Sequence, residues 1–185
     1  MSVRSLVERA AVKKLLREIY PDIHDLRVGH YPHGAPFLTL PAPDGTTPGL
    51  PLGEFPPISI SHSRGLAAIA LGEAGMRIGI DTETPDRSSQ LLRVATRFLA
   101  PGQMDWAKQA ATLSWAWCIK EAAYKAAGIP GLPLADIPLP MEIPLNTSTR
   151  DAYLTIAGRQ YTVMQVDTYP VTALLMLVFA PPPAE

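Results

Sequence analysis

Asp81 and Glu83 form the first pair of residues whose types and spacing suggest chemistry. Residues two apart on a β-strand lie on the same face, so the apolar element that contains Ile78 and Ile80 would bring both carboxylates together. Two negative groups this close repel each other unless a cation or a basic partner lies between them. The pair therefore predicts either a cation or a basic partner beside it. The alternative is a strand end that enters solvent, with Asp81 capping the turn toward Pro85.

Glu121 and Lys125 form the second pair. They are four residues apart, which places them on one face of a helix. The plain interpretation is a surface ion pair that contributes only about 0.2–0.5 kcal/mol. The surrounding segment 115–127 is largely apolar, however, so its three charged residues, of which Lys120 is the third, are expected to share a restricted stripe of the helix. This context favours a functional role for the pair.

A polar tetrad, Ser61-His62-Ser63-Arg64, ends an apolar segment just before Gly65. Hydroxyl, imidazole and guanidinium groups suit phosphate oxygens, which accept hydrogen bonds and favour positive charge. The tetrad could instead be a turn with local hydroxyl caps. A serine nucleophile is a third interpretation, but adjacent Ser and His residues on a strand face opposite sides, and the chain has no Gly-x-Ser-x-Gly elbow.

The three clusters together fit one chemistry, phosphoryl transfer. The carboxylates of Asp81, Glu83 and Glu121 can hold Mg²⁺ through oxygen ligands and leave positions for water and a substrate phosphate. His62 and Lys125 would then balance the remaining phosphate charge, as positioning and charge neutralisation supply most of the rate in such reactions.

Other metal and nucleotide motifs find no support in the sequence. The chain contains no Gly-x-Gly-x-x-Gly, Walker loop or His-Glu-x-x-His motif. His30 and His33 could supply two metal ligands, but Pro32 and Gly34 predict a solvated turn there. The single cysteine, Cys118, excludes an intrachain disulfide framework and a multi-cysteine zinc site.

Length and composition predict one packed globular unit. The chain has 185 residues, of which 47% are hydrophobic and 18% charged, so wholesale disorder is not expected. Its 20 prolines are about double the ordinary share and are interpreted as rigid connections. A net charge of −1 argues against a dedicated nucleic-acid binder. No signal peptide or membrane-spanning run is visible, so a soluble, cytoplasmic protein without membrane association is expected.

Hydrophobic periodicity and turn residues predict helices before and after a group of strands along the chain. The predicted elements are a helix over 3–19, short strands within 22–57, strands over 58–62, 66–71 and 77–82, helices over 88–99 and 112–127, a proline-rich connector over 129–148, and strands near 152–157, 160–167 and 171–179. Close spacing of the three middle strands predicts an antiparallel meander. The order of elements predicts an α+β fold with helices packed on antiparallel sheet.

At three stretches the chain resembles the 4′-phosphopantetheinyl transferase superfamily. The stretches are Ile58-Ser59-Ile60-Ser61-His62-Ser63, Ile78-Gly79-Ile80-Asp81-Thr82-Glu83 and Trp117-Cys118-Ile119-Lys120-Glu121-Ala122-Ala123-Tyr124-Lys125. They match the family's Ser-His-Ser, Gly-x-Asp-x-Glu and Trp-x-x-Lys-Glu-x-x-x-Lys patterns in order. Weaker similarity extends the resemblance over roughly residues 5–180.

This family transfers the phosphopantetheine arm of coenzyme A to a serine of an apo acyl or peptidyl carrier protein and releases 3′,5′-ADP. The resemblance implies that Asp81, Glu83 and Glu121 bind Mg²⁺, and that Glu121 is also the general base toward the carrier serine. It implies that His62 and Lys125 contact the coenzyme A phosphates. Ser61 is expected to take part in the same contacts.

The length is similar to that of the monomeric, two-lobed type of the family. That type implies a pseudo-twofold pair of similar α+β lobes, here 1–84 and 85–185, with coenzyme A between them and no partner copy. Two other functions stay open: a non-catalytic paralogue that binds coenzyme A or a carrier, and a Mg²⁺-dependent phosphodiester hydrolase.

Two positions depart from the family pattern. Ala35 stands where a lysine is common, so one basic contact to the nucleotide end is missing. Gln103 stands where many members have a glutamate, so the roles of metal ligand and base are expected to fall on Glu121. The first helix offers alternative contacts to the 3′-phosphate, unless its basic residues form a solvated face: Arg9, Lys13, Lys14 and Arg17.

Overall fold

The structure is a computed structural model that describes residues 3–45, 49, 55–63, 65–84, 87–140, 152–168 and 173–182. Its elements in chain order are α1 (Val3–Ile19), β1 (Arg27–His30), β2 (Pro36–Thr39), β3 (Ile58–Ser63), β4 (Leu66–Leu71), β5 (Arg77–Glu83), α2 (Ser88–Phe98), a 3₁₀ segment (Pro101–Ala107), α3 (Ala110–Ala127), a 3₁₀ turn (Leu134–Asp136), β6 (Ala152–Ile156), β7 (Arg159–Gln165) and β8 (Leu174–Ala180). The predicted α+β class is confirmed.

The larger sheet has four antiparallel strands in the order β5-β8-β7-β6. Alternate residues of β8 are fully buried, among them Met176 and Val178, as expected of a strand with one face on a core. Helix α3 covers that face, and its own buried stripe includes Ile119 and Ala123. This layer of helix on sheet contains the main core.

The N-terminal part of the chain forms two hairpins, β1-β2 and β3-β4, each a two-stranded antiparallel sheet. Helix α1 contributes Val12 and Leu16 to a second core, which is completed by Leu26, Leu38 and Ile58. Isolated hairpins are marginal in water, so this packing against α1 is what stabilises them. The helix has the predicted bounds.

The predicted meander of three strands is wrong at its third strand. β3 and β4 pair as expected, but β5 forms its backbone ladder with β8, where Asp81 lies opposite Met176. β3 instead contacts β5 through side chains: Ser59 and Ser61 accept hydrogen bonds from the β5 backbone amides at 3.0 and 3.1 Å. The three alternate serines of β3, including Ser63, are buried along this seam.

Gly79 allows α3 to lie directly on β5. A Cβ at this position would stand 1.9 Å from the Ala122 carbonyl oxygen and 2.6 Å from the Ala126 nitrogen. Only glycine permits this approach of helix backbone to strand backbone. The helix ends as predicted at Gly128, whose left-handed conformation (φ 60°) caps it through a bond to the Tyr124 carbonyl.

The division into lobes at residues 84 and 85 stays a prediction. β5 precedes that boundary and is the edge strand of the sheet that the C-terminal strands form. The predicted connector over 129–148 and the predicted strand over 171–179 fall partly on residues outside the described ranges. No helix in the described part of the chain is long and apolar enough to cross a bilayer.

Candidate functional site

Asp81 lies at the junction of β3, β5 and α3. Its Oδ1 accepts a hydrogen bond from the Ser61 hydroxyl at 2.8 Å and one from the Lys125 ammonium at 2.8 Å. The Lys125 ammonium also donates to the Ile80 carbonyl at 2.9 Å. Burial raises the pKa of the nearby Cys118 thiol on α3, and the charges of the two β5 carboxylates raise it further. Hydrogen bonds from two elements, β3 and α3, thus fix the Asp81 side chain.

Glu83 lies two residues further along β5 and is 1% exposed. Its Oε1 accepts hydrogen bonds from the Ser63 hydroxyl and the Thr84 amide, both at 2.9 Å. Its Oε2 pairs with the Arg87 guanidinium at 2.5 Å. The prediction that a cationic partner would face the two carboxylates is met within the protein itself, by Lys125 at Asp81 and by Arg87 at Glu83.

Glu121 projects from α3 toward the same region. Burial raises the pKa of its carboxyl, and the negative charge of Asp81 raises it further, while Lys125 and Arg87 oppose the shift. Glu121 and Asp81 are therefore close enough to repel each other. Within the described ranges, no three His, Cys, Asp or Glu side chains form a group that could hold a metal ion.

Lys120 does not share the stripe of Glu121 and Lys125, so that expectation is wrong. Its side chain is fully buried, and the ammonium donates to the carbonyls of Leu134 and Ile137 in the segment after α3. Burial lowers the pKa of Lys120 to about 8. Consecutive helical residues point about 100° apart, so Lys120 ties the following loop to the helix while Glu121 points elsewhere.

Gln103 has a structural role in this arrangement. Its Oε1 accepts the Ala100 amide at 3.0 Å, and its Nε2 donates to the Ile137 carbonyl at 3.2 Å. The amide thus closes the start of the 3₁₀ segment and helps Lys120 to hold the same loop. A side chain engaged in this way is not directed at the carboxylates.

A large cleft lies beside the carboxylates. It is bounded by α1, by the β1-β2 hairpin, by β3 and by the C-terminal end of α3, and its volume is about 1200 Å³. Pockets for ordinary small molecules measure roughly 300–1,000 Å³, so this cleft suits a longer ligand. Its lining includes seven basic or imidazole side chains: Arg9, Lys13, Arg27, His30, His33, His62 and Lys125.

Four of the predicted binding residues lie in this cleft, namely Arg9, Lys13, His62 and Lys125. Lys125 connects the two parts of the site, because it lines the cleft and contacts Asp81. Ser61 is buried and engaged with Asp81 and does not line the cleft. Ala35 lines it without a basic group.

Two other basic residues of the predicted α1 face do not line the cleft. Lys14 is 80% exposed and pairs with Glu18 at 3.9 Å, and Arg17 is exposed. Arg64, the fourth member of the tetrad, and Pro85, the target of the alternative turn, lie outside the described residues.

Sequence reasoning missed three contributors. Glu8 lines the cleft from α1, only 8% exposed, with its Oε2 3.3 Å from Nδ1 of His62. Arg87 and Cys118 reach the carboxylates from the start of α2 and from α3. An apolar helix interior could have indicated Cys118, but Glu8 and Arg87 stand among ordinary surface charges in the sequence and carry no comparable signal.

Comparison with known proteins gives one family. Residues 77–172, from β5 to just before β8, match the family model described as the 4′-phosphopantetheinyl transferase superfamily. No curated protein matches the chain.

Proposed function

The chain belongs to the 4′-phosphopantetheinyl transferase superfamily, since the match covers more than half of its residues. From this membership we propose that it transfers the phosphopantetheine arm of coenzyme A to a serine of an apo carrier protein and releases 3′,5′-ADP. The observation that carries the proposal is the basic cleft that joins the carboxylates of β5 and α3 through Lys125.

Coenzyme A is an elongated polyanion, and the cleft offers both length and positive charge. Arg9 and Lys13 lie one turn apart on α1 and line its wall, where they take the place of the basic group that Ala35 lacks. His62 and Lys125 stand nearer the carboxylates and contact the phosphates of the pyrophosphate. Charge-assisted hydrogen bonds of this kind are roughly twice as strong as neutral ones.

Mg²⁺ is the proposed metal. Asp81, Glu83 and Glu121 would hold it after a rearrangement of their side chains, because among the described residues no three such side chains form a metal-binding group. These side chains offer the hard oxygen ligands that Mg²⁺ prefers. Burial raises the pKa of Glu121 and the negative charge of Asp81 raises it further, so a cation between these carboxyls would favour their ionised forms. Lys125 and Arg87 now supply positive charge to this group. When bound, the metal would neutralise charge on the substrate pyrophosphate.

Glu121 is the proposed general base. It accepts the proton of the carrier serine hydroxyl as that oxygen forms a bond to the phosphorus next to the pantetheine arm. The bond between this phosphorus and the bridging oxygen breaks, and the bridging oxygen leaves with 3′,5′-ADP. Because burial and Asp81 raise the pKa of Glu121, its carboxylate is a stronger base than an exposed glutamate.

The carrier protein docks, in this proposal, on the exposed face of α2. This helix begins beside the carboxylates, buries Leu91, Ala95 and Phe98, and presents Arg93 and Arg97 together with Leu92, which is 57% exposed. No acidic residue lies on the helix. Carrier proteins dock through acidic helices, so the charges are complementary.

Two arginine reversals test this surface. Arg93→Glu and Arg97→Glu should each raise the KM for the carrier several-fold and leave coenzyme A affinity unchanged, because the cleft lies elsewhere. Lys14→Glu, which reverses an exposed charge on α1, is the matched control. Equal effects of the control and the α2 variants would place the docking face elsewhere.

The whole proposal is tested by incubating the protein with coenzyme A, Mg²⁺ and an apo carrier and measuring masses. A carrier that gains the phosphopantetheine mass supports the transferase. Free phosphopantetheine without carrier gain would indicate a hydrolase, and no product with intact coenzyme A binding would indicate a non-catalytic paralogue. Asp81→Asn should lower the transfer rate by about 10²–10³ or more, whereas Asp105→Asn, an exposed control, should not.

A further inference from the structure

Glu8 is an acidic residue in the wall of a cleft that is otherwise basic. Among the described residues that line the cleft, it is the one carboxylate beside seven cationic or imidazole side chains. It is 8% exposed, and its Oε2 lies 3.3 Å from Nδ1 of His62 on β3. A buried negative charge beside a polyanionic ligand is unfavourable unless it serves another group.

His62 is a group that Glu8 can serve, because the two side chains are in contact. The imidazole is half exposed and lines the cleft, so one ring edge faces the buried carboxylate and the rest of the ring remains accessible. The nitrogen that a neighbour engages determines which nitrogen remains for a ligand. With Nδ1 directed at Glu8, Nε2 is the nitrogen left for a phosphate oxygen, and an imidazolium donates from both nitrogens.

We propose that Glu8 is a positioning residue for His62: it holds the ring from α1 so that Nε2–H meets a phosphate of coenzyme A. The inference rests on the proposed function only in taking coenzyme A as the ligand of the cleft. In this proposal α1 has two roles. Its Arg9 and Lys13 contact the ligand, and its Glu8 orients a residue of β3.

The experiment measures the dissociation constant of coenzyme A by calorimetry for Glu8→Gln, His62→Ala and the double variant. Glu8→Gln keeps the size of the side chain and removes its charge. It should weaken binding about three- to tenfold, and His62→Ala by about tenfold, the loss of one charge-assisted bond. The double variant should bind no more weakly than His62→Ala, since Glu8 acts through the ring.

Steady-state kinetics add a measurement that misfolding would not mimic. Glu8→Gln should raise the KM for coenzyme A more than it lowers kcat, and a general loss of fold would lower kcat with it. Glu18→Gln is the control, because Glu18 lies on the exposed side of the same helix and pairs with Lys14.

Three outcomes would overturn the inference, two of them in variants that carry Glu8→Gln. One is wild-type affinity in Glu8→Gln while His62→Ala binds weakly, and the other is a double variant whose penalty equals the product of the single penalties. Wild-type affinity in His62→Ala overturns it as well. Failure of the proposed transfer is seen separately, as a carrier that gains no mass, because the calorimetry requires only that coenzyme A binds.

Discussion

At the scale of single residues, Glu121 experiences two opposing influences that make its charge dependent on pH. Burial and Asp81 disfavour the carboxylate, and Lys125 and Arg87 favour it, with a raised pKa as the result. The folded protein therefore holds the proton of Glu121 more tightly than the unfolded chain does. As the pH rises through the folded pKa, the carboxylate must ionise in this site, and the stability that the protonated form supplied is lost.

Glu121→Gln should remove this dependence. Without Mg²⁺, the free energy of unfolding of the variant relative to the wild type should increase as the pH rises above 4.5, the ordinary value for glutamate. Urea unfolding in a chelator between pH 4 and pH 7 measures the difference. A difference that stays constant across this range would contradict the assignment, and all other carboxylates cancel because both proteins contain them.

Gln103→Ala should change the transfer rate by less than about tenfold, which is about 1.4 kcal/mol of barrier. The amide accepts the Ala100 N–H at the start of the 3₁₀ segment and donates to the Ile137 carbonyl. Rate and melting temperature should be measured together, since stability is expected to fall more than the rate. A rate loss as large as that of Glu121→Gln would show that the amide orients a reacting group.

The sequence indicated most residues of the site and fewer of their contacts. The carboxylates of β5 could be found because spacing of two on a strand puts them on one face. The engagement of Ser61 with Asp81 could not, because it depends on the separation of two strands that share no backbone ladder. The expectation that Lys120 shares a stripe with Glu121 and Lys125 is wrong because it rests on the apolar composition of the helix. Consecutive helical residues point about 100° apart, so Lys120 and Glu121 face different directions.

At the scale of elements, the position of α3 relative to β5 determines the geometry of the site. Gly79→Ala should push the helix from the strand, since the new Cβ would meet backbone atoms of Ala122 and Ala126. Overpacking of this kind costs about 1–3 kcal/mol, and activity should fall further because Glu121 and Lys125 move with the helix.

Chemical unfolding and transfer rates measure both effects. Gly102→Ala is the control, because apart from its two chain neighbours no heavy atom of the described residues lies within 4 Å of a Cβ at that position. Equal behaviour of the two alanine variants would show that α3 does not depend on its contact with β5.

The same scale shows which elements could be predicted. Helices α1 and α3 follow from local signals, apolar periodicity and the glycine at position 128, and their predicted bounds hold within two residues. The partner of β5 could not be predicted, because β8 begins about 90 residues later and local spacing favours the nearer β4. The sequence of a strand that is buried on both faces does not indicate which other strand it pairs with.

At the scale of the whole molecule, the residues that match the family and most of the basic residues that line the cleft lie in different parts of the chain. The match begins at residue 77 and contains the carboxylates, Glu121 and Lys125. The other basic residues of the cleft all precede it: Arg9, Lys13, Arg27, His30, His33 and His62. The part of the chain outside the match therefore supplies most of the basic side chains that line the cleft, and the matched part contains the residues of the proposed chemistry.

The serines of β3 connect these two parts, and Ser59 offers a test. Ser59→Ala would leave the buried Ile80 amide without its acceptor, a loss of about 1–3 kcal/mol. Urea unfolding should show it, with Ser89→Ala on the exposed side of α2 as the control. A loss no larger than the control's would mean that water or a shifted strand replaces the hydroxyl.

The hydroxyl seam, in which Ser59 and Ser61 of β3 accept hydrogen bonds from β5, also affects the rate at which backbone amides exchange with deuterated water. The amides of Ile80 and Thr82 are protected by oxygens on rotatable side chains, whereas those in the β7-β8 ladder bond to carbonyls fixed in a strand. Rotation about the Cα–Cβ bond of a serine breaks the hydrogen bond to Ile80 or Thr82, whereas the hydrogen bonds of the β7-β8 ladder break only when the two strands separate. Deuterium should therefore enter the seam at these two amides by local opening, well before it enters the ladder.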